Sequence, residues 1–564
     1  MPHLIFCFFT TDAYRILYKV SLAFILLTAF NFFSFSQELP DILKSTIQSE
    51  KNYLPDFSYA GYKCGEVPIP NFKNTVVNAV DFGVTPNDGL DDSKALIEAM
   101  AAANNIEGRV ILQLPKGKII LSDILYIERS NLILRGTGSG DNGTIIYCPR
   151  PMMYLEDPEA LTELREYLIQ LKKRQREPQN NIDLPFSQYA WSGGMIWTQV
   201  PGERVKSYLQ KYDAEETILA KITKGQRGHH IIEGIEIQGL QIGDVVQLQL
   251  FNTTGSADSG LVDDLYKNTK VKIGSHHWKF PTLPIVRQEV EILDINGGKI
   301  TIKTPLTVSI NSDYNARLVK WNHLEEVGIE HLSISFPDAS YIAHHVERGF
   351  NGIYLTRLYN SWIKDVVIHN ADSGILTEEI ANVTIKDITT TGNNKAHYTV
   401  AMAGVHNVLV DNLKVYNLAV HPLSFNTFST KNVYHNCEVF VNPVLDQHSG
   451  ANHQNLFDQI KVHIDPLDDG TYPLFAGGGA SYWKPSHGAY STFWNIQAHF
   501  LSGTDNEKPI LLNGMKDGPY ARLIGISGNH TVDVNYEPKA YMEMIGISPM
   551  TPSLYLHQLH IRLK

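Results

Sequence analysis

The stretch VLDQHSGANHQNLFDQIKVHI, residues 444–464, sets Asp446, His448 and His453 close together. Upstream stand Asp372 in DSGILTEE, His397 in HYTVAMAG and His421 in HPLSFNTF. Imidazole can both take and give a proton near neutral pH, and a carboxylate beside it orients the ring or raises its basicity. His397, His421, Asp446 and His448 are therefore the candidate catalytic residues. Arg348, Asp372, Lys395, Asn426, His453, Trp483 and Lys484 are the candidate substrate-binding residues. Cations there would pair with carboxylate or sulfate, and an indole face would stack on a sugar ring. A metal site is the weaker reading, because no compact spacing such as H-E-x-x-H is present. No metal and no cofactor are expected.

Residues so far apart need a scaffold that brings them together. NSWIKDVVI (360–368), NVTIKDITT (382–390), NVLVDNLKV (407–415), NVYHNCEV (432–439) and NLFDQIKV (455–462) form a repeat. Their leading asparagines, Asn360, Asn382, Asn407, Asn432 and Asn455, are 22, 25, 25 and 23 residues apart. An earlier copy is EVGIEHLSI (326–334). Each unit is an asparagine, alternating apolar residues and a polar turn, which suits one coil of a parallel β-helix stacked on its neighbours. Asn382, Asn407 and Asn432 are expected to superpose at one turn, with their amides bonding up the stack. Val408, Leu413 and Val415 are expected to face the core. Asp372 is 12 residues after Asn360, His397 15 after Asn382, His421 14 after Asn407 and Asp446 14 after Asn432. With coils about 4.8 Å apart, these four are expected in one outward column, with His448 beside Asp446. Two loops should wall a groove over it: DASYIAHHVERGF (338–350), with His344, His345 and Glu347, and GGGASYWKPSHGAY (477–490), with Tyr482 and His487.

Residues 76–100, VVNAVDFGVTPNDGLDDSKALIEAM, read as a strand, a turn and a helix beginning near Asp91 or Asp92. Short strands punctuated by glycine turns follow in RVILQLPKGKIIL and NLILRGTGSGDNGTII. In DFGVTPNDGLDDS, LPKGKIIL and LRGTGSG the chain resembles the opening coils of the pectate-lyase-like right-handed parallel β-helix superfamily. That resemblance implies an all-β fold and an activity on polysaccharide. Lyases, hydrolases, epimerases and phage tailspikes share this opening, so it does not choose among them.

The expected organisation is an export signal at 1–36, an N-terminal extension at 37–70 and first coils with a capping helix at 71–150. An inserted helix plus β module follows at 151–322, and the main β-helix at 323–564. Arg15 and Lys19 precede the apolar run VSLAFILLTAFNFFSF (20–35), and cleavage is expected near Ser36. The insert opens with the charged helical segment DPEALTELREYLIQLKKRQRE (157–177) and continues as antiparallel strands with an NGG hairpin turn. The chain is expected to be secreted or periplasmic, monomeric and without a membrane span.

With 43% apolar and 19% charged residues the composition is that of a globular protein, which excludes wholesale disorder. A net charge of −11 argues against nucleic acid as a partner. It allows an anionic polysaccharide or oligosaccharide, because a few local cations decide that. Cys64, Cys148 and Cys437 remain after the signal and do not make a disulfide framework. Hydrolysis of a glycosidic bond wants two carboxyl groups flanking it. The N-T-D, D-D, G-H-G and R-I-K set of polygalacturonase-type relatives is missing, as is the carboxylate cluster of calcium-dependent pectate lyases. A histidine-rich column suits β-elimination at a uronic acid better, the leaving group being a sugar (lyase) or water (dehydratase). The chain also looks like polysaccharide-utilisation enzymes of marine Bacteroidota, which implies an ulvan-like algal glycan. Hydrolysis of an anionic glycan and non-catalytic carbohydrate binding are the alternatives.

Overall fold

The computed structural model describes residues 39–44, 52–73, 75–175, 186–203, 216–253, 260–266, 282–448, 450–479, 484–503, 507–515, 518–537 and 540–564. The expected export signal with its cleavage point, and Tyr482 and Trp483, lie outside the described residues.

The repeat units become strands because their apolar residues share one face. Val408, Val410, Leu413 and Val415 are fully buried in one continuous core. Strict alternation would send Val410 and Leu413 to opposite faces. The backbone avoids this at Asn412, which takes a left-handed conformation at φ 58° and bends the strand. The same bend recurs at His331, Asp365, Asp387, Asn436, Gln459 and Asn495. Asn and Asp tolerate this conformation better than most residues, which explains the polar position in the middle of each unit.

A second left-handed column opens the coils at Glu326, Asn360, Asn382, Asn407, Lys431 and Gln454. The expected superposition is therefore corrected by one residue. Asn382 and Asn407 are level, but Lys431 takes the next position and Asn432 follows it. The pairing Thr384↔Leu409↔Val433↔Leu456 sets this register. The amide ladder forms where the slip has occurred: Val408 N donates to Asn432 Oδ1 at 2.8 Å, and Asn432 Nδ2 to Asn455 Oδ1 at 3.1 Å. Asn360 and Asn382 instead hold the N-terminal segment, bonding Lys63 N and the carbonyl of Tyr59.

Successive coils pair in parallel, as Trp362–His369 with Thr384–Thr391 and that strand with Leu409–Val415. The coils build a 16-stranded sheet, an 8-stranded sheet and a 4-stranded sheet around the core, and the fold is an all-β parallel β-helix. Ser93–Asn104 is a helix packed on the first coils. At the other end Leu554–Arg562 is a helix held through buried Asp458, which accepts from Ser553 Oγ and from the backbone of Leu554 and Tyr555. Cys64, Cys148 and Cys437 are buried free thiols.

Six antiparallel strands between Ile218 and Lys320 close into a barrel with its own core. It rests on the β-helix where Phe428 and Ala451 enter the barrel's apolar cluster. Gln454 Nε2 donates to the Thr307 carbonyl there at 2.7 Å. Segment 151–322 does not leave the helix as a whole. Ile196–Thr198 pairs in parallel with Leu125–Ile127 and with Asn351–Thr356, so this short apolar stretch fills a rung of the 8-stranded sheet.

Candidate active site

The 8-stranded sheet carries the histidines on three adjacent strands, Ala396–Met402, Ala419–Phe425 and Leu445–His448, with Asp372 just before the neighbouring strand Ser373–Glu378. Their register differs from the expected column. His421 is level with Tyr398, not with His397, and Asp446 is level with Ser424, not with His421. Asp372 and His397 are level as expected, their strands pairing Ser373 with Tyr398 and His397 N donating to the Asp372 carbonyl at 2.7 Å, but the count slips at the later coils because the turns differ in length. The side chains nevertheless meet and are buried together. Ring centroids are 5.4 Å apart for His397 and His421, 4.9 Å for Tyr398 and His421, and 4.5 Å for His421 and His448.

Asp446 is the hub. Its Oδ2 accepts from Ser424 Oγ at 2.6 Å and lies 3.1 Å from His421 Nδ1 and 3.4 Å from His448 Nδ1. Its Oδ1 accepts from Gly478 N at 3.1 Å. Burial alone would raise this carboxyl, but the two imidazoles beside it hold it well below the usual range. Burial depresses His448, against the pull of Asp446. Gly478 is required by this packing, since a Cβ there would fall 1.9 Å from His448 Nδ1.

The loop before Asn351 folds over the sheet and adds His344, His345 and Glu347. His344 and His345 have ring centroids 3.7 Å apart, and His344 lies 4.6 Å from His397 and 5.8 Å from His421. Burial lowers His344 to about 4 and His345 to about 2, and keeps His397 well below its ordinary value, with neighbouring imidazoles adding to each shift. Burial raises the carboxyl of Glu347. Two triples present ligand-type atoms within 4.8 Å of one another: His344, His345 and His397, and His421, Asp446 and His448.

The other candidates fall in different places. Asp372 spends its carboxylate on the backbone of Gly349 and Phe350, at 3.0 and 2.9 Å, so it pins the histidine loop and does not join the column. Asn426 is buried behind the site, bonding Ser424 Oγ at 3.4 Å. Lys395 sits with its ammonium 4.8 Å from the Tyr341 ring, and its charge acts on His344. Lys484 bonds Ser486 Oγ at 2.8 Å, and its charge acts on His448. Arg348 is half-buried in the same loop, its carbonyl accepting from Met153 N. His453 lies elsewhere: it continues a separate column, His406, Thr430 and His453, and lines a cavity of about 270 Å³ with Arg227, Thr307 and Tyr490. His406 belongs to the strand Val405–His406 at the end of the 4-stranded sheet, so His453 extends that face and not the 8-stranded one.

Two residues of the cluster were not singled out from the sequence. Tyr398 is buried next to His397, their rings stacked at 4.1 Å. Trp191, from the segment that precedes Ile196–Thr198, packs on His345 at 4.9 Å and reaches His397 at 6.4 Å. Tyr398 could have been found as the neighbour of a candidate histidine; Trp191 belongs to no repeat and carried no signal. A larger cleft of about 820 Å³ between barrel and helix shares no residue with the cluster. Its arginines are already paired, Arg357 with Glu203 and Glu379, Arg287 with Glu379 and Arg317 with Glu216. The buried imidazoles are therefore the better seat for proton chemistry.

Residues 333–474 match a family model described as a right-handed β-helix region. No curated protein matches the chain. Among solved structures, the tailspike protein gp49 from Pseudomonas phage LKA1 is similar, with 11% identity, 83% of this chain and 81% of that chain covered, and a TM-score of 0.45. The A-module of mannuronan C-5 epimerase AlgE4 from Azotobacter vinelandii is 11% identical over 84% and 95% of the two chains, with a TM-score of 0.36. A family 28 exopolygalacturonase from Yersinia enterocolitica is 11% identical over 84% and 78%, with a TM-score of 0.33. No helix among the described residues is long and apolar enough to cross a membrane. The chain is an all-β protein whose body is a right-handed parallel β-helix.

Proposed function

We propose that the protein is an exported, monomeric carbohydrate-active enzyme that cleaves or dehydrates a uronic-acid-containing glycan by β-elimination. The observation that carries this reading is the buried pair His421 and Asp446. The carboxylate stands 3.1 Å from Nδ1, and Nε2 is buried without a hydrogen-bond partner among the described residues. A carboxylate so placed holds the tautomer whose Nε2 accepts a proton.

In the proposed reaction His421 Nε2 takes the C5 proton of the uronate. The C4–O4 bond then breaks, its electron pair leaves with O4, and the new double bond joins C4 and C5. Tyr398 supplies the proton to O4. Its hydroxyl is buried beside Asn426 and Trp191 and stays protonated because burial raises it far above neutral pH. His448 shares Asp446 with His421 and buttresses it. His397 is uncharged at neutral pH, so its part is that of a neutral donor or ligand and not of a cation. Lys395 and Lys484, whose charges reach His344 and His448 respectively, provide the positive surroundings an anionic glycan needs. An ulvan-like glycan is the proposed substrate class, from the resemblance of the sequence.

Hydrolysis is the second reading, favoured by two carboxyl groups pushed apart in the same cluster, Glu347 raised and Asp446 lowered. Asp446 is already engaged by four groups, which speaks against its attacking a sugar or activating water. Incubation with a panel of uronate glycans separates the readings. Elimination generates an unsaturated uronate chromophore and products one water lighter than hydrolysis products. Products of hydrolytic mass without the chromophore would overturn the elimination reading.

A further inference from the structure

His344, His345 and His397 are three imidazoles turned on one another, with the Glu347 carboxylate beside His397. Their ligand-type nitrogens all lie within 4.8 Å, and both nitrogens of His397, which is 0% exposed, lack hydrogen-bond partners among the described residues. Neutral rings gain nothing from such crowding unless something accepts their lone pairs. We propose that these three histidines form a site for one divalent first-row transition ion, zinc being the type, with an open coordination position toward His421.

Three features of the loop favour this. First, His345 has φ 70°, a left-handed conformation that is unusual outside glycine and asparagine. It brings the rings of two successive residues to 3.7 Å instead of splaying them. Second, the strained turn is held from beneath: Glu347 Oε1 accepts from His345 N at 3.1 Å, and Asp372 accepts from Gly349 and Phe350. Third, the same Glu347 oxygen stands 3.2 Å from His397 Nδ1, within reach though not aligned for a hydrogen bond. A carboxylate behind one ring nitrogen, leaving the other to ligate, is the usual support of a metal-bound histidine.

The donor set selects the ion. Three nitrogens suit zinc and its neighbours, whereas calcium and magnesium take oxygen ligands. Nitrogens bound to one zinc ion at about 2.0–2.1 Å stand roughly 3.4 Å apart, so binding would draw the rings inward. The second triple, His421, Asp446 and His448, is the weaker candidate, because Asp446 already accepts from Ser424 Oγ and Gly478 N. His344 is exposed, so solvent reaches the site from that side. A uronate carboxylate there would have its charge neutralised as the C5 proton leaves. This last role rests on the elimination reading; the site itself does not.

The test uses the full chain, stripped with a chelator and titrated with Zn²⁺, with Co²⁺ as the spectroscopic probe. Expected are one ion per chain, cobalt bands of low-symmetry nitrogen coordination and a raised unfolding temperature. His344→Ala, an exposed change, and His397→Gln should each weaken binding at least tenfold, while His421→Ala retains it. No binding by the wild type would overturn the site, as would undiminished binding by His344→Ala and His397→Gln together. Loss in His421→Ala equal to that in His344→Ala would also overturn it, assigning the ion to the other triple. Stoichiometric binding without elimination on any uronate glycan supports the site and removes only its role in the reaction. Full elimination by ion-free protein that rebinds no zinc overturns the site and leaves the elimination reading intact.

Discussion

His421 Nδ1 lies 3.1 Å from Asp446 Oδ2, although the two residues are not level in the sheet: His421 pairs with Tyr398 and Asp446 with Ser424. The contact runs diagonally between adjacent strands, so the carboxylate approaches the ring at Nδ1 and leaves Nε2 without a partner among the described residues.

His421→Ala should lower turnover by about 10²–10⁴-fold, the usual weight of an acid–base group. Asp446→Asn should fall in the same range, because the amide cannot hold the same tautomer of the ring. Both are read on a glycan that the wild type degrades, alongside thermal unfolding. Losses that follow lost folding would make the cluster a structural ladder.

Lys395→Ala should raise KM more than it lowers kcat, since the ammonium attracts the anionic substrate without entering the bond changes. Steady-state kinetics at two ionic strengths check this. The wild-type advantage should shrink as salt screens the charge.

Leu413→Ala should destabilise by about 2–5 kcal/mol. Leu413 is fully buried just past the left-handed Asn412, and the cavity would open in the continuous core. Denaturant unfolding measures it, and a loss within about half a kcal/mol would contradict the packing.

Glu289, buried in the barrel, has its carboxyl raised to about 7 by burial, with Glu379 adding to the shift against the Gln247 amide. Between the ordinary carboxyl value of 4.5 and 7 the folded chain keeps a proton that the unfolded chain has lost. Stability from this group is thus full below 4.5, falls as pH rises to 7 and is flat above it. Glu289→Gln should remove a slope on the order of 3 kcal/mol. Unfolding at several pH values should show the variant gaining on the wild type across that window.

The sequence by itself determined the coil period, the buried set of each unit and the polar residues at its bends. Those features depend on alternation and on which side chains tolerate a left-handed backbone, both local properties. Val408, Leu413 and Val415 were legible for that reason. The level of one coil against the next was not, because turn hydrogen bonds and packing choose it: Lys431 takes the position that spacing assigned to Asn432, and Tyr398 the partner assigned to His397. His453 shares a sequence motif with His448, yet a turn carries it onto another face. Only the tertiary structure folds His344, His345 and Glu347 over the sheet and brings Trp191 from the segment before the barrel against them. Those contacts span residues with no shared period, so no pattern along the chain encodes them; burial and the Asp372 hydrogen bonds hold them in place.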